Sequence, residues 1–366
     1  MYIHQLNEWP NFNWDQARLA RLLAVVRHDQ GRLLGKMEAL GFPLREQASL
    51  QMLTEDVVKS SAIEGEKLDT TQVRSSIARR LGIEAGALPP LDRHVEGIVD
   101  VMLDATRMYR SPLTGERLLS WHGALFPTGR SGLHRITVGA WRDAGSGPMQ
   151  VVSGEMGREK VHFEAPSHER LHGEIDRFLR WFNGAPTTDP VIASALAHFW
   201  FLTIHPFEDG NGRIARAIAD MQLARSDNTA QRFYSMSAQI QLERRAYYDV
   251  LESSQRGPLD ISPWIEWYLN CLQRAIAASE GTLAAVLAKA RFWKTHERAA
   301  LNERQRSMLN RLLDGFEGKL TSTKWGQLSK CSPDTALRDI TELIALGMLS
   351  KEPAGGRSTG YRLLLE

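Results

Sequence analysis

The chain has 366 residues, 43% of them hydrophobic and 24% charged, with a formal net charge of +2. That length supports two or three domains with a real core, and that balance excludes both a disordered chain and a global electrostatic pull toward nucleic acid or a membrane surface. Only two cysteines occur, Cys271 and Cys331, with neither a disulfide framework nor a metal-ligand spacing; no apolar run approaches a membrane span, and the N-terminus MYIHQLNEWPNFNWDQARL lacks a basic region followed by an apolar one. A cytoplasmic protein without membrane contact is expected.

Apolar residues at helical spacing run through residues 14–40 (Leu19, Leu22, Leu23, Val26, Leu33, Leu34, Met37, Leu40), and the pattern stops at Gly41-Phe42-Pro43. A second helix is predicted over 46–64, with Leu50, Leu53, Val57 and Ile63 facing inward. Helices over 70–81, 91–109 and 113–125 follow, the first two separated by Gly86-Ala87-Leu88-Pro89-Pro90. Residues 130–166 break the pattern. Two β-prone runs, 149–152 and 160–163, flank a loop containing Gly154 and Gly157 and read as a β-hairpin. Helices resume over 167–182, 190–204, 212–225, 239–254 and 261–287, with 293–300 as a connector. Residues 301–366 then follow a different pattern. Helices are predicted over 304–313, 323–330 and 333–346, the last with Ser332 as N-cap and Gly347 as stop. Two strands, 348–351 and 360–363, close around a Gly-Gly-Arg turn. Three helices and a hairpin resemble a winged helix. The fold class is mainly α.

Two stretches carry the chemistry. In Lys59-Ser60-Ser61-Ala62-Ile63-Glu64-Gly65-Glu66, Gly65 is an ordinary helix stop, but Glu64 faces the negative end of the helix dipole unless a positive group waits for it. The second stretch is Ile204-His205-Pro206-Phe207-Glu208-Asp209-Gly210-Asn211-Gly212-Arg213-Ile214-Ala215-Arg216. Here an apolar helix ends at a histidine, a glycine turn lets backbone N–H groups approach an anion, and a new helix offers its N-terminus to phosphate. Arg213 and Arg216 lie close to one turn apart and can reach one polyanion. Asp209 can hold a magnesium ion that bridges phosphates, and His205 can be a neutral base near pH 7. No Gly-Lys-Ser/Thr follows the turn, so this is not a P-loop, and no HExxH zinc motif occurs.

The second stretch resembles the Fic family motif HxFx(D/E)GNGRxxR, with His205, Phe207, Asp209, Gly210, Asn211, Gly212, Arg213 and Arg216 at every defined position. Most Fic proteins transfer AMP from ATP to a hydroxyl side chain of a target protein, and the resemblance implies a protein adenylyltransferase with ATP as substrate. His205 would deprotonate the hydroxyl, and Asp209 would bind Mg²⁺ (or Mn²⁺). Asn211 with the Gly210–Gly212 amides would hold α- and β-phosphate oxygens. Arg213 would clamp the β/γ-phosphates, Arg216 the γ-phosphate, and Phe207 would pack the loop. An intact Gly212 favours nucleotidyl over kinase-type transfer. The hairpin at 149–163 stands where Fic proteins keep a flap on which a target segment docks, and Tyr247 and Tyr248 stand where relatives contact adenine; core packing is the competing reading for the tyrosines.

Ser60-Ser61-Ala62-Ile63-Glu64-Gly65 is similar to the family's inhibitory signature (S/T)xxxE(G/N). The resemblance implies that Glu64 pairs with Arg216 and keeps it from the γ-phosphate, with Ser60 one turn earlier anchoring the helix end. It also implies three domains: an N-terminal helical domain over 1–90 carrying the inhibitory helix, the Fic catalytic domain over 91–290 and a winged-helix-like domain over 301–366. Alternatives are a de-AMPylase that uses Glu64 and a nucleotide-sensing winged-helix regulator. Residues 301–366 hold ten Lys/Arg against eight Asp/Glu, and Arg338 is outnumbered on its helix by Asp334, Asp339 and Glu342. A protein-contact or homodimer role is therefore favoured over DNA binding, although Arg357 could reach a minor groove. His198, seven residues before His205, could pair with it on a metal; a packed, hydrogen-bonded histidine is favoured.

Overall fold

In chain order the computed structural model runs α1 (Gln16–Glu38), α2 (Phe42–Ile63), α3 (Thr70–Leu81), α4 (Arg93–Arg107), α5 (Gly115–Leu125), β1 (Arg130–Ser131), β2 (His134–Arg135), β3 (Gln150–Ser153), β4 (Lys160–Glu164), α6 (His168–Asn183), α7 (Pro190–Ile204), α8 (Asn211–Asp227), α9 (Met236–Leu242), α10 (Arg244–Gln255), α11 (Ser262–Thr295), α12 (Glu303–Leu313), α13 (Ser322–Leu328), α14 (Pro333–Ala345), β5 (Leu349–Lys351) and β6 (Tyr361–Leu363). It describes residues 1–83, 92–145, 147–154, 158, 160–313, 315–316, 318–352 and 359–364. The expected 86–90 linker, Gly157 and the Gly-Gly-Arg turn with Arg357 lie outside the described residues. The chain forms two compact units, Met1–Glu280 and Gly281–Glu366. No helix among the described residues is long and apolar enough to cross a membrane.

The first unit is built around α7. Asp189 caps it by accepting the Val191 N–H at 2.8 Å, and Pro190 takes a first-turn position where a missing N–H costs nothing. Residues 191–204 are buried almost without exception, so this helix, apolar on all sides, must be enclosed. Helix α8 lies against it through small residues, Ala215, Ala217 and Ala219, with Ser194 Oγ donating to the Ala219 carbonyl at 2.8 Å. Helix α11 closes another side, where the Trp264 indole N–H donates to the Ala195 carbonyl at 2.9 Å. Helices α4 and α5 approach so closely that a Cβ on Gly97 would lie 1.9 Å from the Ala124 carbonyl oxygen, so only glycine fits.

Helix α2 buries Leu50, Leu53, Val57 and Ile63 as its spacing predicts. It is pinned to the start of α9: Asp56 Oδ1 accepts from Ser235 Oγ at 2.5 Å and from the Ser237 N–H at 3.1 Å. Helix α2 begins at Phe42, not at residue 46, because Pro43 starts a helix as readily as it ends one. The single helix expected over 239–254 is broken at Glu243, which leaves helical geometry (φ −106°, ψ 23°) and pairs with Arg274 at 2.5 Å. Helix α11 continues to Thr295 and absorbs Trp293, so the connector is shorter than expected.

In the second unit, α12, α13 and α14 and the β5–β6 hairpin enclose Met308, Leu309, Trp325, Ile340, Leu343, Met348 and Tyr361. Leu320 bridges to Tyr361 beside the hairpin. Ser332 caps α14 by accepting the Thr335 N–H at 3.2 Å, and Gly347 follows it at φ 72°. Asp339, counted above among the acids of this helix, is buried and held by Arg304 at 3.0 and 3.2 Å.

Candidate active site

Helix α7 ends at His205, which adopts the left-handed conformation (φ 50°, ψ 60°) and turns the chain sharply. Residues 206–210 then lead into α8. Phe207 is fully buried, stacked on His122 with ring centroids 4.2 Å apart and planes within 3°. The Asn211 carboxamide is occupied on both sides: its Oδ1 accepts the Phe207 N–H at 3.0 Å and its Nδ2 donates to the Phe207 carbonyl at 2.8 Å. The Asn211 side chain thus braces the loop. Glu208 accepts from both the N–H and the hydroxyl of Thr137, at 3.0 and 2.8 Å, tying the loop to residues 130–142. Gly210 sits at φ 80°, and a Cβ there would meet the Phe126 ring at 2.8 Å.

His205 is set up as a neutral imidazole. Its Nδ1 lies 3.2 Å from the Leu202 carbonyl, which can only accept, so Nδ1 carries the proton and Nε2 keeps a lone pair. Burial, partly offset by that hydrogen bond and reinforced by nearby Arg142, pushes its pKa down to about 4. Arg142 was not foreseen from the sequence. This buried guanidinium donates to the His205 carbonyl at 2.9 Å and to the Pro166 carbonyl at 2.5 Å, and so holds the turn from outside. Asp209, ahead of α8, accepts its neighbour's Gly210 N–H at 2.5 Å and the Ser131 hydroxyl.

At the head of α8 the first N–H groups have no partner within the helix and face outward as donors. The Glu64 carboxylate lies there. A Cβ on Gly212 would fall 2.2 Å from Glu64 Oε1 and 3.2 Å from Arg216 Nη1, so the glycine makes room for the acid. Glu64 Oε1 accepts from Arg216 Nη2 at 2.8 Å; Ser60 accepts from the same guanidinium twice, through Oγ from Nε and through its carbonyl from Nη2, both at 2.9 Å. Ser60 and Glu64, 156 and 152 residues from Arg216 in sequence, thus form one cluster with it. Arg216 is buried, and its Nη1 has no acceptor among the described residues. Gly65 at φ 85° reverses the chain, with the Glu66 N–H donating back to the Ser61 carbonyl at 3.0 Å. This brings in Glu66, which the sequence reading passed over: its Oε2 accepts from Arg213 Nη1 at 2.9 Å, and its other oxygen meets His94 of α4. The acid-x-acid spacing across a helix-stopping glycine was the available signal.

A profile of the Fic/DOC family matches residues 112–223, the segment that holds α7, the turn and most of α8. Residues 112–223 thus match a Fic/DOC family domain. A second profile, a domain of unknown function (DUF4172), matches residues 2–83. Among curated proteins the chain is 25% identical over 290 residues to a protein adenylyltransferase Fic of Culex quinquefasciatus and 26% identical over 293 residues to that of Drosophila erecta, in each case covering 75% of this chain and 53% of the relative. The chain thus spans about half the length of these relatives. A Fic family protein of Desulfovibrio desulfuricans has the same fold over 98% of both chains, with a TM-score of 0.55 and 21% identity.

Around the Fic turn, the flap is the two-stranded ladder of β3 and β4, with Gln150 opposite Glu164 and Ser153 opposite Lys160. Helix α10 pins β4: Arg256 donates to the carbonyls of His162 and Val161 at 2.9 and 2.8 Å, and Glu252 meets His162 Nδ1 at 2.6 Å. Tyr247 is buried, its hydroxyl 2.9 Å from His198 Nε2, so both are packed residues of the first unit. Tyr247 is thus held in the core, and the bond leaves His198 Nε2 no lone pair for a metal shared with His205. Tyr248 is 38% exposed and lies against Tyr247 with ring centroids 5.0 Å apart. Burial first, then the Glu64 charge, raises the Tyr248 phenol pKa, which sets this tyrosine close to the Glu64–Arg216 pair.

Proposed function

We propose that this chain is a protein adenylyltransferase that moves AMP from ATP to a hydroxyl side chain of another protein, and that Glu64 holds it in a resting state. The observation that carries this reading is the Glu64 carboxylate seated on Arg216 at the head of α8, the place the phosphates need. The names of the curated relatives support the chemistry. The target hydroxyl oxygen attacks the α-phosphorus, forming an O–P bond; the bond from that phosphorus to the α,β-bridging oxygen breaks and pyrophosphate leaves. The hydroxyl proton passes to His205 Nε2, a base already neutral and oriented through Nδ1. The α8 amides and two arginines hold the polyphosphate, and such transfers depend mainly on position and charge neutralisation.

Asp209 suits a magnesium or manganese ion. It is one fixed carboxylate beside an anion cradle, and Mg²⁺ in such sites takes one or two carboxylates together with substrate phosphates. Bound there, the ion would neutralise phosphate charge. The target segment would add to the flap along β3, since β4 is tied to α10 and Val152 of β3 is 48% exposed.

A charge-assisted bond to a buried guanidinium contributes about 1.5–3 kcal/mol, so freeing Arg216 should matter by about 10- to 100-fold. Incubation of Glu64→Gly with α-labelled ATP and Mg²⁺ should label protein at least about 10-fold above wild type, while γ-labelled ATP labels nothing. Equal labelling by both proteins removes this reading.

The pH dependence follows from the buried base. Because the His205 pKa is pushed to about 4, neutral His205 persists through pH 6, and kcat/KM should show no inflection near 6.5 from this group. For stability the sign is the same. The unfolded chain takes up the proton first, so the contribution of His205 is present above the ordinary pKa of about 6.5 and is lost as pH falls toward about 4. A pH profile of the Glu64→Gly enzyme with an inflection at 6.5 that His205 substitution abolishes would contradict the buried-base geometry.

A further inference from the structure

We propose that Glu66 is a specificity-determining residue of this site: by holding Arg213 it restrains binding of nucleotides with a β-phosphate, while Glu64, by holding Arg216, restrains the triphosphate. The inference rests on the adenylyltransferase reading and adds a second acid with a different task.

Four observations support it. Glu66 Oε2 lies 2.9 Å from Arg213 Nη1, so at rest both arginines of the site are paired, each with a separate carboxylate. The two acids are placed by one device. Gly65 at φ 85° and the Glu66 N–H bond to the Ser61 carbonyl fold residue 66 back beside residue 64, so both side chains leave one turn toward α8. Arg213 does not depend on Glu66 for its place: its guanidinium lies over the Phe126 ring at 4.9 Å, with 8% of its side chain exposed. Finally, Arg213 Nε is buried without an acceptor among the described residues, as is Arg216 Nη1. Each arginine therefore keeps a buried spare donor beside the nitrogen that its acid holds, as expected of groups that await a further acceptor.

The Glu66 side chain is one-third exposed, and its oxygens divide between Arg213 and His94. A pair of this kind is weak enough for a polyphosphate to displace. Arg213 and Arg216 sit on successive turns of α8, so the phosphate chain meets them in order of its length. Glu64 thus acts on the end of the chain and Glu66 on its middle.

A simple ion-pair staple between the turn, α4 and α8 would have the opposite sign, since removing it would loosen Arg213 and weaken binding. The test is calorimetric titration of AMP, ADP and ATP with Mg²⁺ into the full chain carrying His205→Ala, which prevents turnover, alone and combined with Glu66→Gln, Glu66→Ala or Glu64→Gly. Both Glu66 variants should tighten ADP and ATP by about 2- to 5-fold and leave AMP unchanged, while Glu64→Gly should tighten ATP more than ADP. If Glu64→Gly tightens ATP but neither Glu66 variant tightens ADP, the Glu66 assignment is overturned and the adenylyltransferase reading stands. If Glu64→Gly does not tighten ATP either, both are overturned.

Discussion

Replacing His205 by alanine in the Glu64→Gly enzyme should lower AMP transfer by about 100- to 10,000-fold, the usual contribution of a positioned general base, while the affinity for ATP changes little. The separation is expected because His205 and the groups proposed to hold phosphate stand on opposite sides of a rigid turn. The base closes α7, whereas the arginines and free amides belong to α8. The turn itself does not need the imidazole. Arg142 grips the backbone carbonyl of residue 205, Asn211 grips Phe207, and Glu208 grips Thr137. Initial rates with α-labelled ATP, paired with ATP titrations, test this. A variant that loses binding and transfer in equal measure would show that the histidine shapes the cradle and is not the base.

The second large effect is on stability. Arg232 is buried with two carboxylates, Asp220 at 3.1 Å and Asp227 at 2.9 Å, and its guanidinium lies 4.4 Å from the centre of the Tyr234 ring. Arg232→Ala would leave both acids in a low-dielectric interior without their cation, which costs about 3–5 kcal/mol. Asp227 would keep the Tyr234 hydroxyl at 2.8 Å, but Asp220, whose carboxyl burial and neighbouring Asp56 already push well above the usual range, would lose its cation. In a unit of this size the melting temperature should fall by on the order of 10 °C. A shift of under 2 °C in thermal unfolding would mean that the acids protonate and pack without the arginine. Asp220 stands on α8 four residues beyond Arg216, so the loss should also depress ATP binding in the surviving folded protein.

The elements with strong local signals were legible before the structure. Asp189-Pro190 opens α7 and Gly82 closes α3, and those helices have the expected ends. Ser60, Glu64 and Arg216 could be linked because the resemblance to the family's two motifs implies that pairing. Residues whose work depends on what comes near them in space were not legible. Nothing near Arg142 in the sequence marks it as the clasp of the His205 turn, and nothing in the sequence shows that Asn211 turns inward to Phe207. Glu66 finds Arg213 across 147 residues of chain, and only the left-handed Gly65 makes that meeting possible. The break at Glu243 has the same origin, a long-range pair with Arg274 that outweighs helix propensity.

The seat of α2 has a consequence for timing. Leu53, Val57, Ser60, Ser61 and Ile63 are all at most 2% exposed, and Asp56 fastens the helix to Ser235 and Ser237. Withdrawing this helix would open a large part of the core, so the release of the arginines proposed above would not need a swinging lid. What can move cheaply is the Glu64 side chain, 32% exposed, by a change of rotamer about its own bonds. Such a change takes nanoseconds, against microseconds to seconds for domain motions. The resting state would then behave less like a door than like a dimmer, set continuously by the concentration of whatever competes with one carboxylate.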